Sequence, residues 1–222
     1  WLNIFNKGCF NEDAFKISVR EDLKAIRTRD PACRSYCHAL LHYTGFHALQ
    51  AYRAANYMWT NDQHVMAYTL QSRMSEVYGA DIHPAATIGK GVFIDHCTGV
   101  VIGETAVVGD RVSIMQGVTL GGTGKNIGDR HPKVGQGVLL SAGASVLGNI
   151  RVGKGSMIAA GSLVLKPVKP HKIMAGNPAK EVGQTFGSVP ALSMKQEVKR
   201  TFCDEWEAAV AASVNKREMR TK

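Results

Sequence analysis

Three carboxylates or guanidinium groups and two imidazoles stand at breaks in an otherwise regular sequence, and these residues have the types and spacing to do chemistry. Asp81 opens the regular region, Asp95 and His96 interrupt it, and Arg130 and His131 lie in the insertion Gly128-Asp129-Arg130-His131-Pro132. An imidazole titrates near neutrality, and a neighbouring carboxylate fixes its tautomer and stabilises the imidazolium formed when it takes a hydroxyl proton. Asp81 and His96 are 15 positions apart. That falls just short of the separation of about 18 residues that returns a chain of six-residue units by one turn of a three-sided coil. The pair can therefore serve as a base and its orienting carboxylate. The same residues also read as a turn aspartate and a surface histidine, and spacing alone leaves both readings open.

The region that must position them runs from Ile82 to Lys169 as thirteen six-residue units. Their leading residues are Ile82, Ile88, Ile94, Ile102, Val108, Ile114, Leu120, Val134, Leu140, Val146, Val152, Ile158 and Val164. Insertions of two and eight residues fall at Val100–Val101 and at Asn126–Lys133. Every leading residue is a large aliphatic, a regularity that chance does not produce. Six residues are too few for a helical repeat. They suit one short strand and a corner, with the leading aliphatic turned inward and Gly relaxing the turn. Coils of three units, stacked at about 4.8 Å, predict three parallel sheets around a narrow core of Ile, Val, Leu, Ala and Ser. Phe93 is the one aromatic of the region, which fits a core too thin for rings.

Before Asp81 the pattern is helical. Asn11, Glu12 and Asp13 read as the cap and acidic first turn of a helix with an apolar face of Phe15, Val19, Leu23 and Ile26, ending near Asp30. Pro31 fits the first position of a second helix capped by Asp30, with a stop at Thr44–Gly45. A third helix then runs through Trp59 and a fourth from about Asp62 to Tyr78. The expected class is α+β: a helical domain over 1–80, a parallel β-helix over 81–183 and a tail over 184–222. The net charge of +9 is spread along the chain with no basic run, which favours an anionic coenzyme over nucleic acid as partner. No stretch reaches 18 apolar residues, so no membrane span is expected. Five scattered cysteines without a CxxC pair argue for free thiols and a cytoplasmic location. His38, His42, His47 and His64 lack ligand-like spacing, so no metal is expected. The first residue is Trp1, and an upstream segment that could carry any targeting peptide is expected.

At its irregular positions the sequence resembles the serine O-acetyltransferases, within the hexapeptide-repeat acyltransferases. The matching stretches are Asp81-Ile82-His83-Pro84-Ala85-Ala86, Asp95-His96 with Thr98-Gly99, Val101-Ile102-Gly103-Glu104-Thr105-Ala106, Gly117 to Gly124, Gly128 to Lys133, and Gly148-Asn149-Ile150. Upstream, Arg29-Asp30-Pro31-Ala32 and Gly45 to Arg53 also match, so the likeness spans about residues 20–183. The resemblance implies a left-handed coil and direct transfer of acetyl from acetyl-CoA to the hydroxyl of L-serine. It assigns His96 as general base and Asp81 as its orienting partner, with Asp30, Asp95, Arg130 and His131 holding the serine amino and carboxylate groups. Acetyl-CoA would lie along the groove between neighbouring subunits near Gly122, Ala142 and Ala160, with the Gly122 amide as oxyanion donor. L-cysteine would compete in the same pocket as an inhibitor, and the assembly would be a homotrimer or a dimer of trimers.

Two other activities are weighed against this one. A metal-dependent hydratase like the γ-class carbonic anhydrases requires a close His pair on the coil that is absent here, and transfer to another hydroxyl acceptor does not explain the upstream segments. The tail departs from the family pattern. Relatives often end in an Ile that enters O-acetylserine sulfhydrylase, whereas this sequence closes Arg220-Thr221-Lys222. Met194, Val198, Phe202, Trp206, Val210 and Val214 recur at every fourth position and predict an amphipathic helix docked on the protein's own subunits.

Overall fold

A computed structural model describes residues 12–124, 127–185 and 189–196. Four helices come first: α1 (Asp13–Arg29), α2 (Tyr36–His42), α3 (Thr44–Thr60) and α4 (His64–Tyr78). The first sheet stacks β1 (Asp81–Ile82), β4 (Val101–Ile102), β7 (Thr119–Gly121), β10 (Ser145–Leu147) and β13 (Leu163–Val164). The second stacks β2 (Thr87–Ile88), β5 (Val107–Val108), β8 (Lys133–Val134) and β11 (Arg151–Val152). The third stacks β3 (Phe93–Ile94), β6 (Ser113–Ile114), β9 (Leu139–Leu140), β12 (Met157–Ile158) and β14 (Lys172–Gly176), and closes with β15 (Ala179–Gln184) antiparallel to β14. A short α5 (Pro190–Ser193) follows.

Successive strands lie in different sheets, and each pairs in parallel with the strand one coil further on, as a three-sided β-helix requires. The thirteen leading aliphatics all occupy the last or middle place of a strand, and none is more than 8% exposed. The coil core is therefore the one read from the repeat. Phe93 is buried outside it, against Ala25, Ile26 and Phe46 of the helices.

Two register details differ from the sequence reading. Gly99, Gly117, Gly143 and Gly161 stack in line at the corner between the third and first sheets, all with positive φ. Asp95 aligns with Met115, and Thr98 with Gln116. The two extra residues of that corner are therefore His96 and Cys97 rather than Val100 and Val101, and both adopt the left-handed conformation, with φ of 56° and 58°. At the corner between the first and second sheets, Lys133 pairs with Val107 in the regular strand β8. The eight extra residues thus precede Arg130, and Arg130, His131 and Pro132 stack over Glu104, Thr105 and Ala106.

The helices also depart from expectation. Asp30 caps the C-terminus of α1, and its Oδ1 accepts the Ala32 N–H at 2.8 Å, so Pro31 lies in a turn. The second helix begins at Tyr36 and is capped by Ser35, whose hydroxyl accepts the His38 N–H. The N-cap of α1 is Glu12, without a side-chain cap; Asn11 lies outside the described residues. The buried face of α1 is Asp22, Ala25, Ile26 and Arg29, with Val19 and Leu23 only partly covered. Polar groups enter this face because backbone donors and acceptors of the coil corners are turned towards it. Asp22 accepts the Val92 N–H and pairs with Arg53, while Arg29 donates to Gly91 O and Val112 O. Met194 ends α5 in the left-handed conformation, and the expected tail helix beyond it lies outside the described residues.

Candidate active site

The first cluster forms where α1, α2 and α3 meet the corner between the third and first sheets. Gly45, near the start of α3, packs so closely on the Ile94 carbonyl that any β-carbon would overlap it. The Thr44 hydroxyl donates to the His96 carbonyl at 3.1 Å. This contact anchors the backbone while the His96 side chain stays 72% exposed, with Nε2 3.7 Å from Asp95 Oδ1. Asp95 feels a second carboxylate, Asp30, and its pKa is raised by burial and by that like charge, against the opposing pull of His96. Asp30 Oδ2 accepts the Tyr43 hydroxyl at 2.6 Å, and burial with the Asp30 bond pushes the Tyr43 pKa up, so Tyr43 remains a donor. Burial penalises the charge on Asp95, and a cation placed between it and Asp30 would relieve both that penalty and the repulsion of the two carboxylates.

Asp81 lies at the start of β1, and its Oδ1 accepts the Gln71 side-chain N–H of α4 at 2.7 Å. Among the described residues Asp81 and His96 form no hydrogen bond with each other, and the charged neighbour of His96 is Asp95.

The second cluster occupies the corner between the first and second sheets. Arg130 Nη2 pairs with Glu104 Oε2 at 2.8 Å, and Nη1 donates to Gly128 O. His131 is 7% exposed, and its Nδ1 accepts the Thr105 N–H at 3.1 Å. Burial, first, and the adjacent Arg130 lower the His131 pKa, and burial likewise lowers that of His83 on the same corner. Gly122 lies beneath Arg130, within 3.5 Å of its Cγ for an added β-carbon. Ala142 and Ala160 instead stack on the His96 corner, linked by Gly161 N–H donating to Ala142 O. The sequence-predicted residues thus divide into Asp30, Asp95, His96, Ala142 and Ala160 on one corner and Gly122, Arg130 and His131 on the other, with Asp81 on the strand between.

Comparison with known proteins gives the cluster its context. A family profile described as serine acetyltransferase, N-terminal, matches residues 1–51. A probable serine acetyltransferase 2 from rice is 56% identical over 201 residues, covering 90% of this chain and 57% of the relative. The Escherichia coli serine acetyltransferase is 53% identical, covering 82% of this chain and 67% of its own length. This chain belongs to the serine acetyltransferase family. The Vibrio cholerae serine acetyltransferase structure superposes with a TM-score of 0.85 at 47% identity, covering 88% of this chain and 76% of that one. Against two plant relatives the chain spans 57% and 62% of their length.

Sequence reasoning gave no role to Tyr43, Gln71, Glu104 or Thr105, although each contacts one of the candidate residues. Glu104 and Thr105 were findable: once Arg130 and His131 are placed in register, the residues one coil earlier are their neighbours. Tyr43, the residue between α2 and α3, and Gln71 of α4 come from a helical region whose faces the sequence does not fix.

Proposed function

We propose that this chain is a serine O-acetyltransferase that moves acetyl from acetyl-CoA to the hydroxyl of L-serine by direct transfer. The observation that carries this reading is the division of charge: paired carboxylates beside an imidazole on one corner, and a guanidinium with a buried imidazole on another. Together they match an amino acid, ammonium on Asp30 and Asp95 and carboxylate on Arg130 and His131. The two clusters flank the first sheet and, among the described residues, share no hydrogen bond or ion pair. A complete site therefore draws one cluster from each of two subunits of a left-handed-coil homotrimer, alone or paired into a dimer of trimers.

In this reading His96 takes the hydroxyl proton as serine attacks the thioester carbonyl, and Asp81, which holds Gln71 rather than the imidazole in the free chain, turns to orient the ring and stabilise its charge. The Gly122 N–H donates to the tetrahedral oxyanion. Collapse breaks the carbon–sulfur bond, and His96 returns the proton to the departing sulfur. Small Ala142 and Ala160 leave room for the pantetheine arm. Solved serine acetyltransferases have been captured with serine, with coenzyme A and with cysteine, which supports these ligands and L-cysteine as a competing inhibitor. No helix among the described residues is long and apolar enough to cross a membrane. We place the protein in the cytoplasm, noting that Arabidopsis relatives include mitochondrial and chloroplastic forms. The test is release of free thiol from acetyl-CoA: it should require L-serine and fall with added L-cysteine in a manner that serine relieves. Thiol release indifferent to L-serine would overturn the assignment.

A further inference from the structure

We propose that Thr105 is a positioning residue that fixes which nitrogen His131 offers to the substrate, an inference that rests on reading His131 as a carboxylate-binding group. A threonine hydroxyl has one proton and two lone pairs. Here Oγ1 accepts the backbone N–H of Arg130 at 3.0 Å and that of His131 at 3.1 Å. Both lone pairs are then occupied, so the hydroxyl is left as a donor, with His131 Nδ1 2.9 Å away and the Asp129 carboxylate as its other acceptor. The Thr105 backbone N–H donates to the same Nδ1 at 3.1 Å. With the backbone donor on Nδ1 and the hydroxyl proton able to join it, this nitrogen is the acceptor and the ring proton resides on Nε2.

The opposite tautomer is disfavoured twice. A proton on Nδ1 would face the Thr105 N–H and would find the hydroxyl oxygen already saturated. The imidazolium meets the same conflict, which acts in the same direction as the lowering of the His131 pKa by burial and by Arg130. Thr105 therefore holds His131 as a neutral ring with a single outward donor.

That donor is free and its approach is shaped. Among the described residues Nε2 has no hydrogen-bond partner, although the side chain belongs to a residue only 7% exposed. Nε2 rests against Gly103, where any β-carbon would overlap the ring. Gly103 thus sets the position of the ring, and Thr105 sets its proton. The product is an N–H placed beside the Arg130 guanidinium, suited to an acceptor oxygen of a carboxylate and unsuited to a second donor. Lys133 Nζ donates to the Thr105 carbonyl at 2.7 Å, which steadies the residue that does the holding.

The experiment uses the full chain with 15N-labelled histidine. In the parent protein and in Thr105→Ser, the His131 shifts should report a proton on Nε2. Thr105→Val keeps the shape, removes the hydroxyl and should give a mixture of tautomers. It should also raise the serine KM about tenfold, the effect of losing one ordered hydrogen bond, while the acetyl-CoA KM stays unchanged and Thr105→Ser restores the serine value. The parent spectrum tests the lock without any variant: a proton on Nδ1 overturns it. Thr105→Val with an unaltered tautomer and serine KM overturns it as well. If the tautomer shifts as expected but His131→Ala leaves the serine KM untouched, the carboxylate-binding reading fails and the tautomer lock stands.

Discussion

His96 and His131 are the two imidazoles of the proposed site, and the protein holds them in opposite ways. His96 sits on two residues added to a coil corner, in left-handed backbone, with an exposed ring and one carboxylate 3.7 Å away. Its support comes from outside the coil, through Thr44 and Gly45 of α3. His131 occupies a regular corner position, is nearly buried, and has its Nδ1 held by the residue one coil earlier. A base must reach a reacting hydroxyl and carry charge for an instant, so water and carboxylates around it are useful. A binding donor must stay neutral and fixed, so burial and saturated hydrogen bonding serve it better. The regular coil supplies the buried, fixed position, whereas the exposed one required extra residues at a corner.

The comparison is broken most directly at His96. Replacement by Ala should reduce acetyl transfer by about 10²–10⁴, the usual contribution of a general base, while acetyl-CoA binding measured by calorimetry persists. Activity within about threefold of the parent would remove His96 from the chemistry. Because this corner depends on the helices, Asp22→Ala should come next in effect. Asp22 is fully buried and paired with Arg53, and breaking such a pair costs about 3–5 kcal/mol. Thermal melting should fall sharply; an unchanged melting temperature would show that the helices do not rely on this clamp. Arg130→Ala tests the other corner. It should raise the serine KM about 10- to 100-fold through loss of a charged hydrogen bond, with little change for acetyl-CoA. Equal changes for both substrates would contradict the separation of the two corners.

How much of this could be read in the sequence follows the same divide. The coil was legible because its period constrains every sixth residue, and each leading aliphatic from Ile82 to Val164 is buried. The insertions were counted correctly and misplaced, since a gap within a repeat is free to slide until stacked glycines such as Gly99 and Gly117 fix the register. The inward face of α1 was read in part, with Ile26 buried and Val19 and Leu23 packed beside it, because periodicity weighs apolar residues, whereas Asp22 and Arg29 are buried to satisfy backbone atoms of Val92 and Gly91. Pro31 was taken as a helix start, yet the Asp30 carboxylate binds Ala32 N–H and Tyr43 instead. The identities of Asp30, Asp95, His96, Arg130 and His131 came from local motifs. Their grouping into two corners required the three-dimensional stack.

The smallest effect concerns acidity, and it separates the corners by a different route. The folded pKa of His131 lies below its ordinary value of 6.5, chiefly through burial and then through Arg130. An unfolded chain therefore binds this proton at a pH where the folded chain does not. Stability must rise with pH across that interval and fall as pH drops from about 6.5 towards the folded value. His83, lowered by burial on the same corner, adds a second contribution of the same sign. Replacing His131 with Gln removes one titrating group, so stability plotted against pH should become shallower below about 6.5, and replacing His83 as well should flatten it further. Arg130→Ala, which removes a cation that opposes protonation, should move the His131 titration upward in pH. Denaturant unfolding between mildly acid and neutral pH reads all three. A slope that survives in both the single and double histidine variants would mean that this corner is not kept neutral by its fold.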